Sequence, residues 1–163
     1  MDSLLLANII SKIPLFQNLN ETQAEKLIRS CTRVELKPDD SLVREGSAGT
    51  EMFLLLDGSL KVMLEKQNIV AAKMKNVGVI GEMEVLLNQP CFATVTADTP
   101  SKLLKISKKR LEALFREDVE IELKIYRNLC IILCEKIVRT NNRLQDFSKC
   151  IDPATLKKFQ LSA

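Results

Sequence analysis

The chain has 163 residues, enough for one domain with a real hydrophobic core. Lys plus Arg is 24 and Asp plus Glu is 21, and the net charge of +3 is too small to argue for a nucleic acid or an anionic membrane as partner. Histidine is absent throughout, which excludes Ser-His-Asp and Cys-His catalysis and most catalytic zinc sites.

The start of the chain, Met1-Asp2-Ser3 followed by Leu4-Leu5-Leu6-Ala7-Asn8-Ile9-Ile10, lacks the basic stretch and small-residue cleavage site of a signal peptide. It reads as an amphipathic helix capped by Asp2 or Ser3. Asn20-Glu21-Thr22-Gln23 has the form of a capping box and opens a helix to about Cys31, with Ala24, Leu27 and Ile28 on one face.

From residue 32 to 107 the texture changes to short β-branched and apolar runs punctuated by turn signals. The expected strands are Thr32–Leu36, Ser41–Arg44, Met52–Leu56, Ser59–Leu64, Ile69–Met74, Phe92–Ala97 and Leu103–Ile106. Asp57-Gly58 between the third and fourth is a strong hairpin signal. Seven or eight short strands at this spacing predict a β-sandwich or a jelly roll.

Helical texture returns at Ser107, a good cap for Lys108-Lys109-Arg110-Leu111. A longer helix follows, roughly Val119 to Asp146. Leu123, Tyr126, Cys130, Leu133, Ile137, Thr140 and Leu144 recur on alternating steps of three and four, the spacing of a coiled-coil seam. Ile121, Ile125, Leu129 and Ile132 form a second stripe beside it. A helix apolar on two faces needs two surfaces to cover them. One is expected to be the β-barrel and the other a second copy of the chain, which predicts a homodimer through the 119–146 helix; the alternative is a single broad face packed within one chain. The run Leu129 to Cys134 is far too short to span a membrane. Asp152-Pro153-Ala154-Thr155 has the cap and first-turn proline of one more short helix.

Five cysteines, Cys31, Cys91, Cys130, Cys134 and Cys150, are an odd number at spacings unlike a disulfide framework, so the expected compartment is the reducing cytoplasm. Cys130 and Cys134 share a helical face and read as small buried hydrophobes rather than as a metal pair.

The most telling stretch is Gly81-Glu82-Met83-Glu84-Val85-Leu86-Leu87-Asn88-Gln89-Pro90-Cys91-Phe92-Ala93-Thr94-Val95-Thr96-Ala97. It resembles the phosphate-binding cassette of the cyclic nucleotide-binding domain family: Gly-Glu, a short apolar helix, Pro-Arg, two small residues, then a strand opening on Thr-Val or Ser-Val. Ile13-Pro14-Leu15-Phe16 with Leu19, and Glu45-Gly46 with Gly49, Phe53, Leu55 and Gly58, are similar to two further motifs of that family in matching order. The resemblance covers roughly residues 12–145. It implies an α+β, mainly β fold: an eight-stranded jelly roll (a double-stranded β-helix) flanked by N-terminal helices and a long C-terminal helix. The expected organisation is an N-terminal helix at 1–12, the domain with its C-terminal helix at 13–146, and a short helix or tail at 147–163.

The resemblance also implies a ligand, cAMP or cGMP, with Gly81, Glu82, Met83, Cys91, Phe92, Ala93 and Thr94 as the candidate ligand-binding residues. Glu82 would take the ribose hydroxyl, Gly81 would let the backbone come close to the phosphate, and Thr94 could donate a hydroxyl. The sequence departs from the family pattern at five positions. Cys91 stands where the family has its phosphate-binding arginine, Phe92 replaces a small residue, Asp39 occupies a turn position where the family usually has glycine, and Val77 and Ile80 replace Gly and Phe. Residues 81–98 contain no Lys or Arg, while Glu82, Glu84 and Asp98 are acidic. Lys73, Lys75 or Arg44 would have to supply a cation from elsewhere.

The functional expectation is a non-catalytic regulatory or sensor domain with weak or lost cyclic nucleotide affinity. The alternative is a degenerate domain acting through protein interaction or dimerisation. A transcription regulator is less favoured, because the 17 residues after Asp146 are too few for a helix-turn-helix domain. No metal, no cofactor, no direct DNA contact and no membrane anchor are expected.

Overall fold

The structure, a computed structural model, describes residues 12–75 and 77–149, and of Gln67 only the backbone. The helix expected after Met1 and the one expected at Asp152–Thr155 lie outside the described residues. The described helices are α1 (Glu21–Arg29), α2 (Glu82–Leu87), α3 (Lys108–Glu117) and α4 (Val119–Lys149). The strands are β1 (Thr32–Leu36), β2 (Ser41–Val43), β3 (Glu51–Asp57), β4 (Ser59–Leu64), β5 (Ile69–Lys75), β6 (Gly78–Ile80), β7 (Thr94–Ala97) and β8 (Ser101–Ser107).

The eight strands form two four-stranded antiparallel sheets, ordered β1-β8-β3-β6 and β2-β7-β4-β5. This is the expected α+β jelly roll: the chain passes back and forth between sheets, so sequence neighbours mostly lie in different layers. Phe53, Leu55, Leu60, Ile80, Val95, Ala97 and Leu103 fill the space between them. Phe53 with Leu55, and Val95 with Ala97, are spaced by two, so the period of the strand turns them to one face. Each large side chain of this set contributes roughly 1.5–3 kcal/mol by leaving water.

The turns follow the residue types. Gly58 at φ +95° makes the turn from β3 to β4, but these strands pair with others in different sheets, so the expected hairpin is instead a crossing from one layer to the other; Asp39 at φ +67° accepts the left-handed backbone expected of it. The capping box is complete: the Gln23 N–H donates to Asn20 Oδ1 at 2.9 Å, and the Asn20 N–H donates to Gln23 Oε1 at 3.2 Å. Ser107 caps α3 by accepting from the Arg110 N–H at 3.3 Å.

Most strand and helix ends differ from the sequence expectation by one or two residues, and two differences are larger or bear on the site. β6 is a separate strand of three residues, too short to show a period. β7 begins at Thr94 rather than Phe92, because the Phe92 N–H is taken by the Glu84 carboxylate at 3.3 Å instead of a neighbouring strand.

The chain divides into two compact units, Met1–Leu129 and Cys130–Ala163. In the first, Ile121, Ile125 and Leu129 of α4 are buried. Asn128 donates from Nδ2 to the carbonyls of Leu15 and Gln17 at 2.9 and 2.7 Å, fastening the helix to the turn at Pro14–Phe16. Lys26 pairs with Asp118 at 3.0 Å, and Lys124 donates to Gln23 Oε1 at 2.9 Å, which ties the start of α4 to α1. In the second unit Ile132 is buried, while Cys130, Cys134, Ile137, Val138, Leu144 and Phe147 are exposed. The two helical cysteines are therefore not the buried hydrophobes that residue type suggested. Among the described residues no helix is long and apolar enough to cross a membrane.

Candidate functional site

The cassette is built where β6 runs into α2. Gly81 sits at the junction with φ +80°, and a Cβ there would run into the carbonyl oxygen of Glu51. Only glycine reconciles that backbone with that approach. Glu82 follows as the first residue of α2 and is 2% exposed, and Val85 one turn on is also buried. Met83, Leu86 and Leu87 face outward. Asn88 ends the helix in the left-handed conformation, a common helix stop.

Beyond Pro90 the chain is clamped to the turn after β2. The Gly46 N–H donates to the Cys91 carbonyl, and the Cys91 N–H donates to the Ser47 carbonyl, both at 2.8 Å. Gly49 in the same turn lies so close to α2 that a Cβ would overlap the Gln89 carbonyl oxygen and the Glu84 Cβ. This reciprocal pairing fixes where residue 91 begins. Its side chain is short and buried, with Sγ 4.0 Å from the Ala48 carbonyl oxygen. Phe92 is 46% exposed, and Ala93 is half-buried.

Thr94 opens β7 and is buried. Its hydroxyl accepts from the Glu45 N–H at 2.9 Å and donates to Glu65 Oε1 at 2.7 Å. Glu45 in turn accepts from the Glu65 N–H at 2.9 Å and lies 3.9 Å from Lys66 Nζ. Alternation sets this direction: Val95 and Ala97 point into the core, so Thr94 points the other way. Nothing in the sequence flagged Glu45 and Glu65 as its partners, because they are 49 and 29 residues distant and belong to separate turns.

Two of the nearby cations, Lys61 and Lys73, are committed to carboxylates. Lys61 pairs with Asp98 at 2.8 Å and with Asp39 at 3.8 Å, and Lys73 pairs with Asp98 at 3.2 Å. Hydrogen bonds from Lys61 and then Lys73 hold the Asp98 carboxyl below the usual carboxylate range, and the Asp98 hydrogen bond and charge raise Lys61. Arg44 and Lys75 are exposed. The structure thus buries Glu82 and Cys91, leaves Ala93 half-buried, turns Thr94 aside onto the Glu65 carboxylate and the Glu45 N–H, and leaves Met83 and Phe92 at the surface. Chemically the site offers carboxylates and backbone groups.

The architecture is a jelly roll with a short Gly-Glu helix between its sixth and seventh strands. The family profile described as the cyclic nucleotide-binding domain matches residues 33–118, and the chain belongs to that family. It is 23% identical over 124 residues to the cAMP-dependent protein kinase type II regulatory subunit of Drosophila melanogaster, covering 76% of this chain and 32% of that one. The chain spans about a third or less of the length of the curated relatives it matches. Among solved structures, a cyclic nucleotide-binding domain from Methylobacillus flagellatus superposes with a TM-score of 0.79 at 19% identity, covering 87% of this chain and 83% of that one. The N-terminal domain of a transcriptional regulator from Streptomyces coelicolor superposes with a TM-score of 0.67 at 24% identity, covering 83% and 94%. These likenesses establish the shared fold.

Proposed function

We propose that this chain is a non-catalytic regulatory domain of the cytoplasm whose affinity for cAMP and cGMP is weak or lost, and which works as a homodimer through α4. The observation that carries this reading is the missing cation. Residues 81–98 contain no Lys or Arg, Cys91 stands at the arginine position, and Lys61 and Lys73 are occupied by Asp98. A guanidinium gives a phosphate a planar, charge-assisted pair that a neutral thiol cannot supply. Leaving a desolvated charge without its partner costs on the order of 2–5 kcal/mol. At about 1.4 kcal/mol per decade, that is roughly 30- to 4000-fold in affinity. The exposed seam of α4 supports the homodimer, and the modest net charge argues against direct DNA contact.

A second reading, a domain that acts by binding another protein, has its own support. Met83, Leu86, Leu87 and Phe92 are exposed together around the cassette, where a ligand-free protein surface would ordinarily be polar. Isothermal titration of the full chain with cAMP and with cGMP separates the readings from a true sensor. A flat titration is expected; saturable micromolar binding of either nucleotide overturns the proposal.

A further inference from the structure

The sheet β1-β8-β3-β6 carries a cleft of about 680 Å³ on the side of α1, within the size range of small-molecule sites. Its described lining belongs entirely to the first compact unit. Leu103 points into the core between the sheets, so its neighbours Lys102 and Leu104 point outward, and Glu35 and Arg33 of β1 stand in register with them on the same face. The cleft lies away from the cassette. Gly81 meets β3 at Glu51, where the strand starts, whereas the cleft takes Leu56 and Asp57, where it ends. Five residues of extended chain separate the two by roughly 17 Å.

The floor is aliphatic. Ile13, Ile28 and Leu104 are buried in it, and Leu56 is half-buried. No described lining residue is aromatic, so a purine finds no ring to stack upon. Apart from the Cys31 thiol, every polar side chain of the lining is charged, and the charges are sorted. Where β1 leaves α1, Arg29 and Arg33 stand with one carboxylate, Glu25, which lies 3.6 Å from Arg29. At the far end Lys102 has an acidic register partner on each side, Glu35 of β1 and Asp57 of β3. Lys12 brings the lining to four cations against three carboxylates.

This arrangement selects the charge of an occupant. An amine gains little at the far end, because Lys102 already stands between the two carboxylates there. A carboxylate at the near end meets two guanidinium groups, whose planar forks match it in shape and charge. The aliphatic floor then receives whatever hydrocarbon the acid carries.

We propose that this cleft binds a small organic acid with an aliphatic body, its carboxylate on Arg29 and Arg33 and its hydrocarbon over Ile28, Leu56 and Leu104. The inference goes beyond the cassette and the homodimer and depends on neither. Each methylene that leaves water on the floor tightens binding by up to about fourfold, so affinity rises with chain length. The exposed head pair adds less and sets the direction of the ligand.

The test is calorimetric titration of the full chain with octanoate and decanoate, and with decylamine as the counterpart of opposite charge. The expected result is saturable binding of about one decanoate per chain, tighter than octanoate and at least about threefold tighter than decylamine. Leu56→Trp fills the floor and should weaken decanoate at least about tenfold. Arg29→Ala combined with Arg33→Ala should weaken it about threefold or more. Both arginines are exposed, so this variant keeps its fold by circular dichroism and tests the site even where Leu56→Trp misfolds. A flat titration, as when another part of the chain or a partner protein takes the cleft, overturns the proposal. So does decylamine that binds as tightly as decanoate, or decanoate binding that either folded variant leaves unchanged. The cassette reading stands apart from all of these outcomes, since the nucleotide titrations decide it.

Discussion

The hydroxyl of Thr94 donates to the Glu65 carboxylate at 2.7 Å while accepting the Glu45 N–H at 2.9 Å. A residue at the edge of the cassette is thereby held by two carboxylate-bearing turns. Thr94→Val keeps the shape and removes both the donor and the acceptor. The Glu45 N–H and the Glu65 carboxylate then lose a partner in a partly buried place, and the variant should be about 0.5–1.5 kcal/mol less stable. Urea unfolding checks this as a lowered midpoint with an unchanged slope. A variant as stable as its parent would mean that the hydroxyl does nothing for the fold.

The two stripes of α4 differ in what they touch, and truncation should tell them apart. Ile125 is fully buried, and Leu123 is 70% exposed. Ile125→Ala should cost about 2–5 kcal/mol, since it removes hydrocarbon and leaves a cavity. Leu123→Ala should leave the stability of the single chain within about 0.5 kcal/mol. It should instead weaken self-association in sedimentation. Equal losses of stability from both changes would show that both stripes are covered within one chain.

Asp98 gives the protein an acid limb. Its hydrogen bonds from Lys61 and Lys73 hold its carboxyl below the ordinary value, so the folded state binds that proton less readily than the unfolded chain does. The resulting stability is present in full above the ordinary carboxylate range and is lost as pH falls through it toward the folded value. Asp98→Asn should therefore melt below the parent at pH 7, with the gap closing as pH drops below about 4. A gap that stays constant down to pH 2.5 would contradict the ion-pair origin.

Much of this fold is legible in the residues. β1 and β4 fall at Thr32–Leu36 and Ser59–Leu64 as expected, because Lys37-Pro38-Asp39-Asp40 and Asp57-Gly58 mark their ends with backbone chemistry rather than with periodicity. The same holds for α1, whose capping box is a local pair of hydrogen bonds. β6 is hidden because three residues carry no period. The direction of Thr94 is hidden because it depends on which of its neighbours enter the core, and its partners come from turns far off in sequence. Cys130 and Cys134 show the limit of residue type: a thiol's apolarity says that it tolerates burial, and only the packing of Ile125 and Leu129 decides that the cysteine face is the one left outside.

The most direct measurement compares the parent with Cys91→Arg in isothermal titrations against cAMP and cGMP, with the fold of each checked by circular dichroism. If the absent cation sets the affinity, the arginine variant should bind at least roughly 30-fold more tightly than the parent, whose titration should be flat or nearly so. Saturable micromolar binding by the parent, or identical titrations for the two proteins, would contradict it.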